Sequence, residues 1–97
     1  MFKIRANGDG VVSLVGELDM EQAERLLEWA GSNLDGQPEI VLDCSALTFL
    51  DSSGIRAILM LASWSFGTVV IRCPPPNVRR VLGVADVGED MGVRIEA

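Results

Sequence analysis

The chain has 97 residues, of which 48% are hydrophobic and 23% are charged. This balance is typical of a folded protein rather than a disordered one, and the length suits a single domain over residues 1–97 because two cores would each bury too little apolar surface. Eight Lys and Arg against fourteen Asp and Glu give a net charge of −6. Nucleic acid is therefore disfavoured as a partner, since phosphate binding relies on clustered basic residues.

Several residue types and patterns are missing from the sequence. There is no His, which excludes Ser-His and Cys-His catalytic pairs and His-ligated metal sites. Cys44 and Cys73 form no CxxC pair and fit the reduced thiols of a cytoplasmic protein, although one disulfide between them stays open. No apolar signal core follows the N-terminus, and no apolar run approaches the ~20 residues that cross a bilayer. A soluble, cytoplasmic protein without membrane insertion is predicted.

The chain opens with the pattern of a β-hairpin. Residues 2–6 alternate between apolar and basic side chains, a period of two that indicates a strand with one buried face. Residues 7–10, with the sequence Asn-Gly-Asp-Gly, tolerate the positive φ angles of a tight turn. Residues 11–15 are then expected to return as the second strand.

A first helix is predicted to begin after Asp19. This residue is a suitable N-cap, and Gln22 three positions later completes a pattern similar to a capping box. Apolar residues that recur at helical spacing define the expected buried face: Met20, Ala23, Leu26, Leu27, Ala30 and Leu34. Gly36 and Pro38 are expected to end this helix.

The middle of the chain predicts a strand, a helix and another strand. Ile40-Val41-Leu42 is an unbroken apolar run, which is expected of a strand covered on both faces. Residues 52–64 contain one charge, at Arg56, and predict a helix, while residues 68–71 predict a further apolar strand. Two strands joined in this way are parallel and connected by a right-handed crossover.

The last third of the chain predicts one more helix and a terminal strand. Prolines 74–76 cannot continue a strand ladder but suit the first turn of a helix. The apolar face of this helix would comprise Val78, Val81, Leu82 and Ala85. Val93 and Ile95 alternate with polar residues, as in a short strand. The predicted fold class is α/β: a small mixed β-sheet, made of the N-terminal hairpin plus parallel strands, with helices packed against it.

The segment Leu50-Asp51-Ser52-Ser53-Gly54 is the most informative local feature. It joins a buried strand to a helix, and the carboxyl ends of parallel strands are where functional loops collect. Its carboxylate and two hydroxyls stand where the free N–H groups and the positive end of the helix dipole gather. Helix capping alone also explains such a cluster, because Asp and Ser are preferred N-caps.

A second acidic position, Asp19, follows the second predicted strand. If the two strands are neighbours, Asp19 and Asp51 lie on the same edge of the sheet, and the alternative is that Asp19 only caps its helix. Paired carboxylates also occur in hydrolases and metal sites, but no third carboxylate stands at suitable spacing. A nucleophilic Ser52 would need a base, and the single Lys of the chain, Lys3, lies on a distant strand. No catalytic residue, metal or cofactor is predicted.

The second predicted helix is apolar on two opposite sides. One side comprises Ile55, Ile58, Leu59 and Ala62, and the other comprises Ala57, Met60 and Trp64. A helix of this kind is either sandwiched in the interior or exposes an interaction surface. Because a domain of this size has little room to sandwich a helix, the side with Ala57, Met60 and Trp64 is predicted to be an exposed partner interface.

Four segments of the chain stand out together: Gly16-Glu17-Leu18-Asp19, Ile40-Val41-Leu42-Asp43, Leu47-Thr48-Phe49-Leu50-Asp51-Ser52-Ser53-Gly54-Ile55 and Pro76-Asn77-Val78-Arg79-Arg80-Val81-Leu82. In this order, over nearly the whole chain, they resemble the STAS domain, the fold of the bacterial anti-sigma factor antagonists. The third segment carries most of the resemblance, and the fourth is similar to the third helix of that family.

The resemblance implies that Ser52 is phosphorylated by a cognate anti-sigma factor of the serine kinase type. In that family the unphosphorylated protein binds the anti-sigma factor and frees the sigma factor, a partner switch that regulates transcription. Asp19, Asp51, Ser53 and Gly54 would belong to the phosphorylation loop and the kinase contact. A phosphate adds about −1.5 to −2 charges at neutral pH, so a partner docked on this acidic loop would be repelled.

The C-terminal part departs from the family pattern. Val84-Ala85-Asp86-Val87 replaces the usual glycine-leucine ending of the third helix, and the C-terminal helix common in the family is not expected. Two other functions stay open: a STAS subunit of a transporter or lipid-trafficking ABC complex without phosphorylation, and a hydrolase or metal-dependent enzyme using Asp19 and Asp51. The absence of His and of a nearby Lys disfavours the enzyme. Self-association into a homodimer also stays open.

Overall fold

The computed structural model describes residues 1–7, 10–34, 37–64 and 68–96. The strands in this part of the chain are β1 (Phe2–Ala6), β2 (Val11–Leu18), β3 (Glu39–Leu50), β4 (Thr68–Arg72) and β5 (Val93–Glu96). The helices are α1 (Met20–Asn33), α2 (Ser52–Trp64) and α3 (Pro76–Val84), and a 3-10 helix spans Glu89–Met91. Gly8 and Asp9 of the predicted turn, and Gly36, which is expected to end the first helix, lie outside the described ranges.

The five strands form one mixed sheet in the order β1-β2-β3-β4-β5. β1 and β2 pair antiparallel as a hairpin, whereas β2, β3, β4 and β5 run parallel. One α-helix lies in the chain between each pair of adjacent parallel strands. The predicted mixed α/β sheet is thereby confirmed. β3 is much longer than the predicted apolar run of 40–42, since it continues beside β2 as far as Leu50.

The helices pack on one face of the sheet, where the core lies. Three successive crossovers that step the same way along a sheet fall on the same side when each is right-handed. The side chains of one sheet row and of the three helices belong to a single buried cluster, which includes Val12, Leu42, Ile71, Leu26, Ile58 and Leu82. This arrangement leaves every crossover helix beginning at the same edge of the sheet.

The opposite face of the sheet is not covered in this way. Val41 and Val70 are register partners there and are buried, but they lie outside the main cluster. Arg94 follows them in the same row and forms ion pairs with Glu39 at 3.5 Å and with Glu96 at 3.4 Å. Ile40, Val41 and Leu42 are nevertheless all buried, so the prediction of a strand buried on both faces is confirmed, although the helices cover only one of these faces.

The end of α3 shows how the departure from the family pattern is accommodated. The Val87 N–H donates to the Leu82 carbonyl at 3.1 Å, and the Asp86 N–H donates to the Gly83 carbonyl at 3.1 Å. These two bonds define a Schellman motif, in which the residue after the cap adopts a left-handed conformation. Asp86 does so with a φ of 57°, and Val87 is buried beyond it. Asp86 thus adopts a conformation that glycine reaches without steric cost, and a buried apolar residue follows it.

Candidate functional site

The ends of β2 and β3 bring the two predicted acidic positions together. Leu18 and Leu50 are the last register partners of these parallel strands. The next residue in each strand direction is Asp19 and Asp51, and each precedes the first residue of a helix. The predicted placement of the two carboxylates at one edge of the sheet is confirmed, because parallel neighbours end side by side.

Both carboxylates cap helices. The Asp19 Oδ1 atom accepts a hydrogen bond from the Gln22 N–H at 3.0 Å at the start of α1. The Asp51 Oδ1 atom accepts from the N–H groups of Ser53 and Gly54, at 3.0 and 3.1 Å, at the start of α2. These are donors that a helix cannot satisfy internally. The capping interpretation is therefore correct for both residues, and it fixes the orientation of each carboxylate within the loop.

Gly54 allows the two capped loops to lie against each other. A Cβ at this position would lie 2.9 Å from the Leu18 carbonyl oxygen and would also collide with a methyl group of Leu50. The first turn of α2 therefore rests directly on the ends of β2 and β3. The sequence pattern places Gly54 in the loop, but this close approach is to Leu18, which lies far earlier in the chain.

The two adjacent serines face different surroundings. Ser52 is exposed at the first position of α2, and its hydroxyl makes no hydrogen bond within the described ranges. It lines a groove between α2 and α3. Ser53 is half-buried and lines a separate groove between α1 and α2. Of the two hydroxyls, that of Ser52 is the more accessible.

Two hydrogen bonds hold α3 and β2 in place around this loop. The Asn77 side-chain amide, at the start of α3, donates to the Thr48 carbonyl at 2.9 Å. The Thr48 hydroxyl donates to the Gly16 carbonyl at 3.1 Å. No local pattern predicts this role for Asn77, although an Asn beside the first helical proline is a polar residue suited to such a tether.

The predicted interface on α2 needs correction. Ala57 is only 1% exposed, because α1 packs against this side of α2 and a small side chain permits the close approach. Met60 is half-buried in the groove between α1 and α2, while Trp64 is 47% exposed. Met20, expected on the buried face of α1, is instead 71% exposed beside the same groove. The helix is thus sandwiched at Ala57 and exposed at Trp64.

The remaining chemistry-bearing groups of the described chain are dispersed. It contains no cluster of three or more His, Cys, Asp or Glu side chains able to hold a metal ion. Burial, and secondarily the charge of Asp43, raises the pKa of the Cys44 thiol to about 12. Cys73 is exposed, and the two thiols are not joined in a disulfide. None of the described helices combines the length and apolar character needed to span a bilayer.

The fold is similar to solved structures of anti-sigma factor antagonists. A proposed antagonist from Thermotoga maritima superposes with a TM-score of 0.76 at 28% identity, covering 100% of this chain and 86% of that one. An antagonist from Mycobacterium paratuberculosis gives 0.70 at 29% identity, covering 97% and 84%. SpoIIAA in its unphosphorylated form gives a TM-score of 0.75 at 22% identity, covering 100% of this chain and 89% of that one. Bacillus SpoIIAA in its phosphorylated form gives a TM-score of 0.68 at 20% identity, covering 100% of this chain and 92% of that one. Because the two SpoIIAA structures are only 22% and 20% identical to this chain, their similarity shows the fold alone.

Sequence comparison gives a family assignment of its own. The curated protein sequences contain no significant match to this chain. The family model described as "Mlab, STAS domain" matches residues 2–94. The match covers nearly the whole chain and agrees with the mixed sheet, the helix order and the structural neighbours. The protein therefore belongs to the Mlab, STAS domain family.

Proposed function

We propose that this protein is an anti-sigma factor antagonist that is switched by phosphorylation of Ser52. In its unmodified state it binds an anti-sigma factor of the serine kinase type, and in its phosphorylated state it releases that partner. It acts in the bacterial cytoplasm as a binding module without catalytic activity or cofactor. The observation that carries the proposal is the exposed Ser52 hydroxyl at the start of α2, at the edge where β2 and β3 end in a STAS fold.

The hydrogen bonds of the loop support a modification that leaves the fold intact. Asp51 already caps α2 through the N–H groups of Ser53 and Gly54. The Ser52 hydroxyl has no hydrogen bond in the described chain, so its phosphorylation breaks none. The first turn of a helix also tolerates negative charge, because its N–H groups and dipole favour anions. The expected response is a change of surface charge rather than unfolding.

The charges around Ser52 support loss of partner binding as the outcome. Asp51 precedes it directly, and Asp19 stands at the end of the neighbouring strand. A phosphate adds about −1.5 to −2 charges to this acidic edge. A partner surface docked over the loop then meets concentrated negative charge and loses the contact with the serine.

The proposal is tested by incubating the protein with the cognate anti-sigma kinase and ATP and locating the phosphate by mass spectrometry. The expected site is Ser52, and Ser53→Ala is the matched control that should still be modified. Ser52→Ala should stay unmodified and bind the kinase, whereas Ser52→Asp should bind more weakly. Modification of Ser53 alone, or of neither serine with any cognate kinase, contradicts the proposal.

A second candidate is a STAS subunit of a transporter or lipid-trafficking ABC complex without a phosphorylation switch. The observation that favours it is the description of the matching family, which names Mlab rather than an anti-sigma factor antagonist. The neighbouring genes distinguish the two functions. An anti-sigma kinase gene beside this one supports the first, and an ATPase or permease gene supports the second.

A further inference from the structure

Ser52 shares a groove with a basic residue of α3. The groove has a volume of about 320 Å³ and lies between the first turn of α2 and the C-terminal half of α3. Its lining comprises Ser52, Ile55, Arg80, Val81, Val84 and Ala85. Ser52 and Arg80 are the polar members of this set, and the rest are apolar. Val84 is 84% exposed, so the groove opens directly to solvent.

Arg80 is not engaged elsewhere in the described part of the chain. Arg72 and Arg94 form ion pairs with glutamates on the open face of the sheet. Arg25 donates to the Phe2 carbonyl and to the Gln22 side chain. Arg80 makes no ion pair or hydrogen bond among the described residues, and it is exposed. Its guanidinium is therefore available to an anion that enters the groove.

We propose that Arg80 binds the phosphate group of phosphorylated Ser52 across the groove between α2 and α3. The inference rests on the proposed function, which supplies the phosphate. A guanidinium presents a planar fork of N–H donors that matches phosphate oxygens, and the pair is stronger than a neutral hydrogen bond. The carboxylates of Asp51 and Asp19 repel a phosphate on Ser52, whereas the guanidinium of Arg80, on the α3 side of the groove, attracts it.

The other arginines near the loop are placed differently. Arg56 stands one helical turn after Ser52 but lines the groove between α1 and α2, together with Ser53 and Met20. Arg79 adjoins Arg80 in sequence but does not line the groove that contains Ser52. Arg80 is thus the arginine that lines this groove together with Ser52, and Arg79 is its matched control.

The pairing adds a second part to the switch. A phosphate held by Arg80 bridges the groove beside Val81 and Val84, whose exposed apolar surface a partner side chain can otherwise contact. Phosphorylation would then both add charge to the acidic edge and close an apolar contact site. Loss of Arg80 removes the second effect and leaves the first.

The test uses the full chain with phosphoserine encoded genetically at position 52, so that no kinase is needed. The phosphorus NMR signal is followed across its pH titration in the wild-type protein, Arg80→Gln, Arg79→Gln and Arg56→Gln. A bound guanidinium favours the dianion, so the titration midpoint of the wild type should lie about half a pH unit below that of Arg80→Gln. Arg79→Gln should titrate as the wild type does, Arg56→Gln should shift the midpoint less than Arg80→Gln, and added salt should reduce each difference.

An equal midpoint in wild type and Arg80→Gln overturns the inference, as does a displacement found only in Arg56→Gln. Arg80→Lys keeps the charge but loses the fork, and it should retain part of the displacement. Because the phosphate is installed without a kinase, failure of this measurement is separate from failure of the proposed function. Failure of the proposed function would instead be seen when a cognate kinase does not phosphorylate the protein.

Discussion

Gly54 at the start of α2 lies against the carbonyl oxygen of Leu18 at the end of β2, so closely that a Cβ on Gly54 would stand 2.9 Å from that oxygen. This contact joins the loop that contains Ser52 to the loop that contains Asp19. It is a backbone contact, and a backbone in a sheet cannot move aside as a flexible side chain can. The geometry of the candidate site therefore depends on the absence of a side chain at residue 54.

Gly54→Ala should destabilise the protein by about 1–3 kcal/mol, because the added methyl group forces the backbones apart. Urea denaturation measures the free energy of unfolding directly. Gly31→Ala in α1 is the matched control: a Cβ there meets nothing within 4 Å, and alanine should stabilise the exposed helix by about 0.5–1 kcal/mol. Equal stability of Gly54→Ala and wild type would contradict the contact.

Asp19→Asn separates the capping role of this residue from a role in phosphorylation. Asn caps a helix as well as Asp, so the free energy of unfolding should change by no more than about 0.3–1 kcal/mol, the value of a lost charge–dipole contact. If the charge positions the serine or contacts the kinase, the phosphorylation rate of Ser52 should fall markedly. Thermal midpoint and phosphorylation rate are measured on the same sample. A wild-type rate would leave Asp19 as a helix cap alone.

Trp64→Asp and Ala57→Asp should have opposite consequences, because Trp64 is exposed and Ala57 is buried between α1 and α2. Trp64→Asp should weaken partner binding, or shift a homodimer to monomer, with an unchanged circular dichroism spectrum. Ala57→Asp buries an unpaired carboxylate and should unfold the domain. Size-exclusion chromatography and a binding titration read out the first variant, and the spectrum reads out the second. If Trp64→Asp binds its partner and assembles as the wild type does, the proposed interface at Trp64 is contradicted.

Asp86→Gly should stabilise the protein by about 0.5 kcal/mol, since Asp86 adopts a left-handed φ of 57° that glycine reaches without steric cost. Asp86→Ala keeps the Cβ and loses the short polar side chain that tolerates this conformation, so it should be less stable than Asp86→Gly. Chemical denaturation of the three proteins ranks them. A ranking with Asp86→Ala the most stable would contradict the Schellman assignment.

Cys44 should make stability depend on alkaline pH. Its pKa is raised to about 12 from 9.0, chiefly by burial, so the folded state keeps a proton that the unfolded state releases above about pH 9. This contribution to the free energy of unfolding is complete below pH 9 and is lost as the pH rises toward 12, at up to about 1.4 kcal/mol per pH unit. Cys44→Ala should flatten the decline in denaturation experiments, while Cys73→Ala should keep it. An identical decline in Cys44→Ala would contradict the burial effect.

The sequence by itself determined the local elements and their order. The bounds of α2 were predicted at 52–64, as the structure has them, because one apolar segment follows a capping Asp. Asp19 was predicted as the N-cap of α1, and the strand-helix-strand order was enough to predict parallel pairing. The juxtaposition of Asp19 and Asp51 followed from that pairing, since parallel neighbours end at the same edge. Caps, periodicity and chain order are encoded within a few residues of each other.

Only the tertiary structure decided which apolar side chains are buried and which polar groups meet. Helical periodicity gives the angle of a side chain about its helix but not the neighbour that it faces, so Ala57 was expected outside and Met20 inside. The contact of Gly54 with Leu18, the tether of Asn77 to Thr48, and the groove shared by Ser52 and Arg80 each join segments far apart in sequence. They depend on how closely the helices pack on the sheet and on each other, which side-chain volumes across the whole core determine together.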